Sequence, residues 1–417
     1  MIDLKALKRQ FENCPCGKKH ELNIKDICVG SGITDTVGQI LIKNEFPKKL
    51  LLVADKTTLS VARGVEDSLI KGGFLLSYKI YDNLREATTD GVSEIKRELE
   101  KNDAVISVGT GSLNDICRMA AAELDKPLCI FATAPSMDGF ASYNAPLTNG
   151  NFKITYAAKS PEVIIADTKI LASAPTILKG AGFGDMVGKY VGLIDWQVSH
   201  LITGEYYCEK VANLTRSATD MILALADKVS ENNEESAGAV FEALLLTGIG
   251  MSFTKTSRPA SGTEHILSHF WECKKLLDGQ LSDFHGRKVG VATLLIMEKY
   301  QKLKELESVK AHKEIIDWDD VYANYGALSD EVKALNTPDT ITDEINPETI
   351  EKNWQRIREI IASMPTLEQI KSAMIKAGAP TTTEEIAVSD QLKAQGLKYH
   401  PYMRRRLSLY RLSYMLD

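Results

Sequence analysis

The chain lacks any surplus of basic residues: 50 Lys and Arg stand against 56 Asp and Glu, a formal charge of −6. That balance argues against nucleic acid or an anionic membrane surface as the main partner, though a local basic pocket for a phosphate stays possible. Cysteines are few, odd in number at seven, and scattered, which fits a reduced, cytoplasmic protein best. No apolar run is long enough to span a bilayer; the longest, from Val240 to Phe253, contains Glu242 and reads as a buried helix. The opening stretch MIDLKALKRQFENC mixes charged and apolar residues and offers no signal-peptide core. Internal repeats and low-complexity segments are absent as well. What remains is a composition of 44% hydrophobic and 25% charged residues over 417 positions, that of a globular protein with two domains or three.

Apolar periodicity divides the chain near residue 170. Before that point short apolar runs (ELNIKDICVG, KKLLLVAD, FLLSYKIY, DAVISVG, PLCIFAT, NFKITYAA, PEVIIAD) alternate with helical patterns such as TLSVARGVEDSLIKGG and SEIKRELEKN. Such alternation predicts a doubly wound parallel sheet with right-handed crossovers. The segment APSMDGFASYNAPLTNG reads as a long polar loop. After residue 170, runs such as DMVGKYVGLIDWQVSHLI and GAVFEALLLTGIGMSF are helical with no strand between them. We therefore expect residues 1–170 to form an α/β domain and residues 171–417 an all-α domain.

Three of the seven histidines fall in one stretch, Arg258 to Val291. His265 and His269 share a helix face, and His285 opens a second helix near Gly286. Neutral imidazoles fed by two helices suit zinc or nickel, although a HxxxH pair is by itself more often structural. A carboxylate is available in GAGFGDMVGKY, where Asp185 is expected after a glycine-rich turn, at the start of a helix. Asp185, His265 and His285 would make three protein ligands with positions left for substrate, the pattern of a catalytic site; an N-cap is the plainer role for such an Asp. GTGSLND, Gly109 to Asp115, follows a strand and opens a helix, so Gly109 and Gly111 let the backbone approach a pyrophosphate that the helix N-terminus attracts. An ordinary glycine turn fits the same residues. Asp55, at the end of its strand, suits either an adenosine ribose, favouring NAD over NADP, or a helix N-cap. Cys14, Cys16 and His20 in CPCGKKH lack a fourth metal partner nearby, and we read them as a turn built on Pro15 and Gly17.

The ordered set GTGS, TAPSMDGFAS, GFGDMVGKY, SGTEHILSH and DFHGRKVG resembles the sn-glycerol-1-phosphate dehydrogenase family, part of the iron-alcohol dehydrogenase, glycerol dehydrogenase and dehydroquinate synthase-like superfamily. The resemblance spans roughly residues 20 to 300. It implies a dehydroquinate synthase-like fold, with a Rossmann-like N-terminal domain, a helical C-terminal domain and the site in the cleft between them. By motif, Gly111, Ser112, Leu113, Asn114 and Asp115 would hold the pyrophosphate and Asp55 the ribose. Thr133, Ala134, Pro135, Ser136 and Ser142 would complete the NAD site. Asp138 and His269 would meet substrate, while Asp185, His265 and His285 would ligate zinc or nickel. The implied reaction is reduction of dihydroxyacetone phosphate to sn-glycerol 1-phosphate for glycerophospholipid or ether-lipid synthesis, with NAD(H) preferred and NADP(H) possible. Arg258 and Lys153 are candidates for the substrate phosphate, Lys153 fitting a solvated surface equally well. A homodimer or larger homo-oligomer is expected. Two features depart from the pattern: Thr110 stands where many relatives carry a third glycine, and CPCGKKH, which looks like the bacterial branch, has no chemical role assigned. Rival activities are a glycerol or other polyol dehydrogenase, a dehydroquinate synthase-like lyase, which Asp185 in place of Glu disfavours, and a non-catalytic descendant of the fold.

Overall fold

The computed structural model describes residues 2–417. After helix α1 (Leu4–Phe11), strands β1 (Asp26–Gly30), β2 (Lys49–Asp55), β3 (Leu75–Tyr81), β4 (Ala104–Gly109), β5 (Leu128–Ala132) and β8 (Val163–Asp167) form one sheet in the order β1-β8-β5-β4-β2-β3. All its neighbours are parallel. β2 shows why the periodicity was continuous: Leu50, Leu52 and Ala54 face one apolar cluster and Leu51 and Val53 the other, as in a strand covered on both sides.

The first face packs against α2 (Val37–Lys43) and α4 (Val65–Lys71), the second against α5 (Thr89–Leu99) and α6 (Gly111–Glu123). Helices thus leave β2 and β4 toward opposite faces, which makes the gap between these strands the switch point where doubly wound sheets bind ligands. Asp55 and Gly109 end those two strands. The pattern TLSVARGVEDSLIKGG, expected as one helix, is broken into α3 (Lys56–Val61) and α4 at Gly64, whose φ of +99° a helix does not accommodate. Within the expected loop, β6 (Asn144–Asn149) pairs antiparallel with β7 (Phe152–Ala157); its Pro146 and asparagines hid it from propensity.

After β8 the described residues form helices, beginning with α7 (Thr168–Ser173), α8 (Thr176–Thr203), α9 (Glu209–Ala224), α10 (Glu234–Thr254), α11 (Thr263–Leu277) and α12 (His285–Glu305). α10, the one described helix apolar and long enough to cross a membrane, is largely buried inside the protein. The expected turn before Asp185 does not exist: GAGFGD lies inside α8, and Asp185 is a mid-helix residue. Its glycines serve close approach. A Cβ on Gly182 would stand 1.9 Å from the Pro135 carbonyl oxygen, and one on Gly184 would stand 2.4 Å from that of Gly286. Because α8 has no side chains there, the loop after β5 and the first turn of α12 settle directly on its backbone. That contact carries Asp138 and His285 to Asp185.

Candidate active site

The donor atoms of Asp185, His265 and His285 all lie within 4.8 Å of one another. Asp185 is fully buried; its Oδ2 accepts the Asp138 backbone N–H at 2.9 Å, and its Oδ1 lies 3.4 Å from His265 Nε2. His265 Nδ1 is 2.6 Å from Glu264 Oε1, which fixes the tautomer and turns Nε2 toward Asp185, the carboxylate-histidine arrangement common around metals. Burial opposes protonation of His265, but hydrogen bonds to Asp185 and Glu264 push it up. His285 is the reverse case: burial brings it down to about 3 against the pull of Asp185, so it is a neutral imidazole with a lone pair to give. One carboxylate and two imidazoles, with a tautomer set from behind, fit a borderline divalent cation. His269 stands beside this group, its ring centre 5.7 Å from that of His285.

Lys189, one turn after Asp185 on α8, completes the arrangement. Its ammonium lies 2.6 Å from Asp185 Oδ1 and 2.7 Å from Asp138 Oδ2, with no exposed side-chain surface. Burial works against charge on both partners, yet Lys189 and then His265 hold the Asp185 carboxyl well below the usual carboxylate range. Asp138 moves up, from burial and from the nearby Asp185 charge. Behind them Asp195 anchors the start of α11, accepting from the Thr263 backbone N–H at 2.7 Å, the Thr263 hydroxyl at 2.8 Å and the Leu409 N–H at 2.9 Å.

On the sheet side, α6 begins at Gly111 with no side-chain cap from Thr110, leaving N–H groups at the cleft. Asp55, Gly111, Ser112, Leu113 and Asp115 line a cleft of about 220 Å³, as do Ser136, Asp138, Ser142 and all three histidines. Asp55 is the N-cap of α3: its Oδ1 accepts the Thr58 N–H at 2.8 Å in a capping box. Asn114 does not line the cleft. It is buried against Ser107 with its N–H bonded to Thr110. Thr133, Ala134 and Pro135 lie behind the cleft wall, and Asp115, driven up to about 6 by burial, is paired with Arg118.

The phosphate candidates separate. Arg258 is committed elsewhere, to Glu205 Oε1 at 2.8 Å and the Leu407 carbonyl at 2.9 Å, and is outside the cleft. Lys153 is no solvated surface residue: it lines the cleft, only 9% exposed, with Nζ 3.0 Å from Glu272 Oε1. Lys288 meets the other oxygen of Glu272 at 2.6 Å. Two buried ammoniums therefore share one carboxylate, which leaves this trio with a net charge of +1.

Residues 28–175 match the family model described as iron-containing alcohol dehydrogenase. The chain is 31% identical over 415 residues to a glycerol-1-phosphate dehydrogenase [NAD(P)+] of Halalkalibacterium halodurans, covering 97% of this chain and 96% of that one. The chain belongs to the glycerol-1-phosphate dehydrogenase family. A Thermococcus kodakarensis member is 33% identical over 291 residues, 67% of this chain and 80% of that one. The family chain also shares its fold with an archaeal halo-thermophilic alcohol dehydrogenase from a Red Sea brine pool, with a TM-score of 0.64 at 15% identity over 95% and 97% of the two chains.

Sequence reasoning missed Lys189, Glu264, Glu272 and Lys288. Helical spacing offered a signal for two of them: Lys189 is i+4 from Asp185, and Lys288 is i+3 from His285, each on its partner's face. Glu264 and Glu272 became legible only once their partners were located. Sequence reasoning also gave Cys14, Cys16 and His20 no fourth partner; the structure supplies Cys208, whose Sγ is 3.5 Å from that of Cys14.

Proposed function

We propose that the chain reduces dihydroxyacetone phosphate to sn-glycerol 1-phosphate with NADH. One juxtaposition carries the reading: His265 and His285, whose donor atoms lie within 4.8 Å of the fully buried Asp185 carboxylate, line the same cleft as the positively charged Lys153–Glu272–Lys288 cluster. His285 and Lys288 are a helical turn apart, about 5–6 Å between Cβ atoms, a separation suited to a three-carbon substrate with a ketone at one end of its reach and a phosphate at the other. A polyol dehydrogenase has no use for buried ammoniums at that place.

Asp185, His265 and His285 would hold a divalent cation, zinc or nickel. When bound, that cation polarises the ketone and a reduced nicotinamide supplies hydride to C2. Gly111, Ser112 and Leu113 offer backbone N–H groups to the pyrophosphate, while Asp55 faces the ribose and disfavours a 2′-phosphate. Ser136 and Ser142 border the same cofactor path. Lys153 and Lys288 bind the substrate phosphate through charge-assisted hydrogen bonds, with Asp138 and His269 orienting its hydroxyl end. Burial, then the Arg404 guanidinium, keep His269 neutral. It can donate a ring N–H to the oxygen at C2 while its other nitrogen takes a proton from water. Residues 1–170 would serve as the cofactor domain and 171–417 as the metal and substrate domain of a cytoplasmic homo-oligomer acting in phospholipid synthesis.

The test is turnover of dihydroxyacetone phosphate against unphosphorylated dihydroxyacetone, with chiral analysis of the product. Equal preference for the two ketones removes the phosphate assignment, and sn-glycerol 3-phosphate as product removes the stereochemical one.

A further inference from the structure

CPCGKKH is unused by the chemistry above, and its residues lie outside the cleft. They do not stand alone. Cys208, between α8 and α9, brings its Sγ to 3.5 Å from Cys14 Sγ and 3.6 Å from His20 Nε2, and Cys16 Sγ lies 3.2 Å from that same nitrogen. All four donor atoms fall within 4.8 Å of one another. Around a tetrahedral zinc with Zn–S near 2.3 Å and Zn–N near 2.0 Å, donors sit about 3.5–3.8 Å apart. Three of the six donor pairs, at 3.2, 3.5 and 3.6 Å, lie near that spacing and the others fall within 4.8 Å.

We propose that Cys14, Cys16, His20 and Cys208 form a structural zinc site distinct from the active-site cation. Three further features of the surroundings support a ligand role. First, His20 Nδ1 is 3.1 Å from the Phe253 carbonyl; a carbonyl can only accept, so Nδ1 carries the proton and Nε2 offers its lone pair to the thiols, as a metal-bound histidine does. Second, the Tyr206 hydroxyl is 3.4 Å from Cys16 Sγ, positioned to donate to a thiolate. Third, Cys208 is the N-cap of α9 and makes no side-chain cap bond, so its sulfur is turned to the other three donors and not to the helix end.

Three thiolates and a neutral imidazole around Zn²⁺ carry one net negative charge. Lys18, whose ammonium stands 3.9 Å over the Tyr206 ring, is the neighbouring cation. The turn expected from Pro15 and Gly17 is present, with Gly17 at φ +75° and its N–H bonded to the Cys14 carbonyl at 3.1 Å. It is the device that sets two sulfurs side by side.

Four protein ligands leave no position open, the mark of a structural centre, and a three-sulfur, one-nitrogen set selects a soft or borderline metal. The site joins three distant segments: the N-terminal arm, the α8–α9 connection through Cys208, and the end of α10 through Phe253. Its work is to hold the arm that carries α1 against the helical region, so its loss loosens the molecule without touching the reacting atoms.

Elemental analysis of protein purified from zinc-supplemented medium and washed with a weak chelator tests this. The Asp185→Ala chain, with its active-site ligand set broken, should keep about one zinc per chain. Adding Cys16→Ser should bring that below about one tenth, and His20→Cys, which makes a four-cysteine set, should keep it. Mercurial titration of the Asp185→Ala chain should release zinc to a chromogenic indicator in step with three thiols. Should Cys16→Ser not fold, cobalt substitution of the Asp185→Ala chain is the second measurement, with thiolate-to-cobalt absorption expected. Absence of zinc from the Asp185→Ala chain, a Cys14–Cys208 disulfide in the purified protein, or cobalt uptake without thiolate absorption overturns the proposal.

Discussion

Replacing Lys288 by Met asks whether the buried ammoniums are there for phosphate. The change nearly conserves length and apolar volume while removing one of two positive charges that share Glu272, so the cluster goes from a net charge of +1 to neutral. A charge-assisted hydrogen bond contributes about 1.5–3 kcal/mol, and each 1.4 kcal/mol is tenfold. The kcat/KM for dihydroxyacetone phosphate should therefore fall about 10- to 150-fold, mostly through KM, since phosphate binding is common to ground and transition states. The fall should be specific to the phosphorylated ketone, because the unphosphorylated one makes no use of Lys288. Glu272 keeps Lys153 at 3.0 Å, so the loss of stability should stay below the 3–5 kcal/mol of an orphaned buried charge. NADH consumption with both ketones, beside a thermal melt, measures all of this. Parallel loss on both ketones with an unchanged melt would mean that Lys288 acts at the reacting end, and no loss on either would remove it from the site.

Asp55→Asn separates two roles of one residue: Asn caps a helix as well as Asp does, so the melt should hold while the NADPH-to-NADH ratio of kcat/KM rises about five- to tenfold on loss of the repelling charge. An unchanged ratio would leave Asp55 only its cap. Gly182→Ala puts a Cβ 1.9 Å from the Pro135 carbonyl oxygen; a destabilisation of about 1–3 kcal/mol in urea should come with weaker NADH binding, as the displaced loop carries Ser136. A silent substitution would contradict the close-approach account of α8. Burial brings His400 down to about 3, against about 6.5 when unfolded. The unfolded chain therefore binds the extra proton, and the stability due to neutral His400 is complete above pH 6.5 and lost as pH falls toward 3. Between pH 7 and 5 the wild type should lose about 2 kcal/mol relative to His400→Asn, and urea midpoints that move in parallel would refute the assignment.

Strands that are covered on both sides advertise themselves as unbroken apolar runs, which is why β2, β4, β5 and β8 were legible. Paired histidines on a helix were legible for the same reason: periodicity is local. β6 was not, because its pairing with β7 rather than its propensity makes it a strand. The glycines before Asp185 misled because a glycine has two meanings, positive φ and the absence of a Cβ, and only the packing of Pro135 and Gly286 onto α8 distinguishes them. Arg258 and Lys153 show the same limit for charge. A buried ammonium and a structural guanidinium look alike in one dimension, and it took Glu272 and Glu205 to assign them. Cys208 lies far along the chain from CPCGKKH, and no spacing rule connects the two.

Charge balance gives Lys189 and the proposed divalent cation separate tasks. Asp138, Asp185 and Glu264 bring three buried carboxylates around the single buried ammonium of Lys189, so among these four groups two negative charges are in excess. Uncompensated buried charge is strongly unfavourable, and Asp138 registers it in a carboxyl raised by burial and by Asp185. A second lysine would satisfy the charge but could not coordinate a ketone. A divalent cation held by Asp185, His265 and His285, as proposed, would supply the two missing charges and leave coordination positions for substrate. Lys189 then has a task the cation cannot perform: bridging Asp138 to Asp185, it ties the loop after β5 to α8 and keeps the Asp185 carboxylate ionised and aimed before any cation arrives.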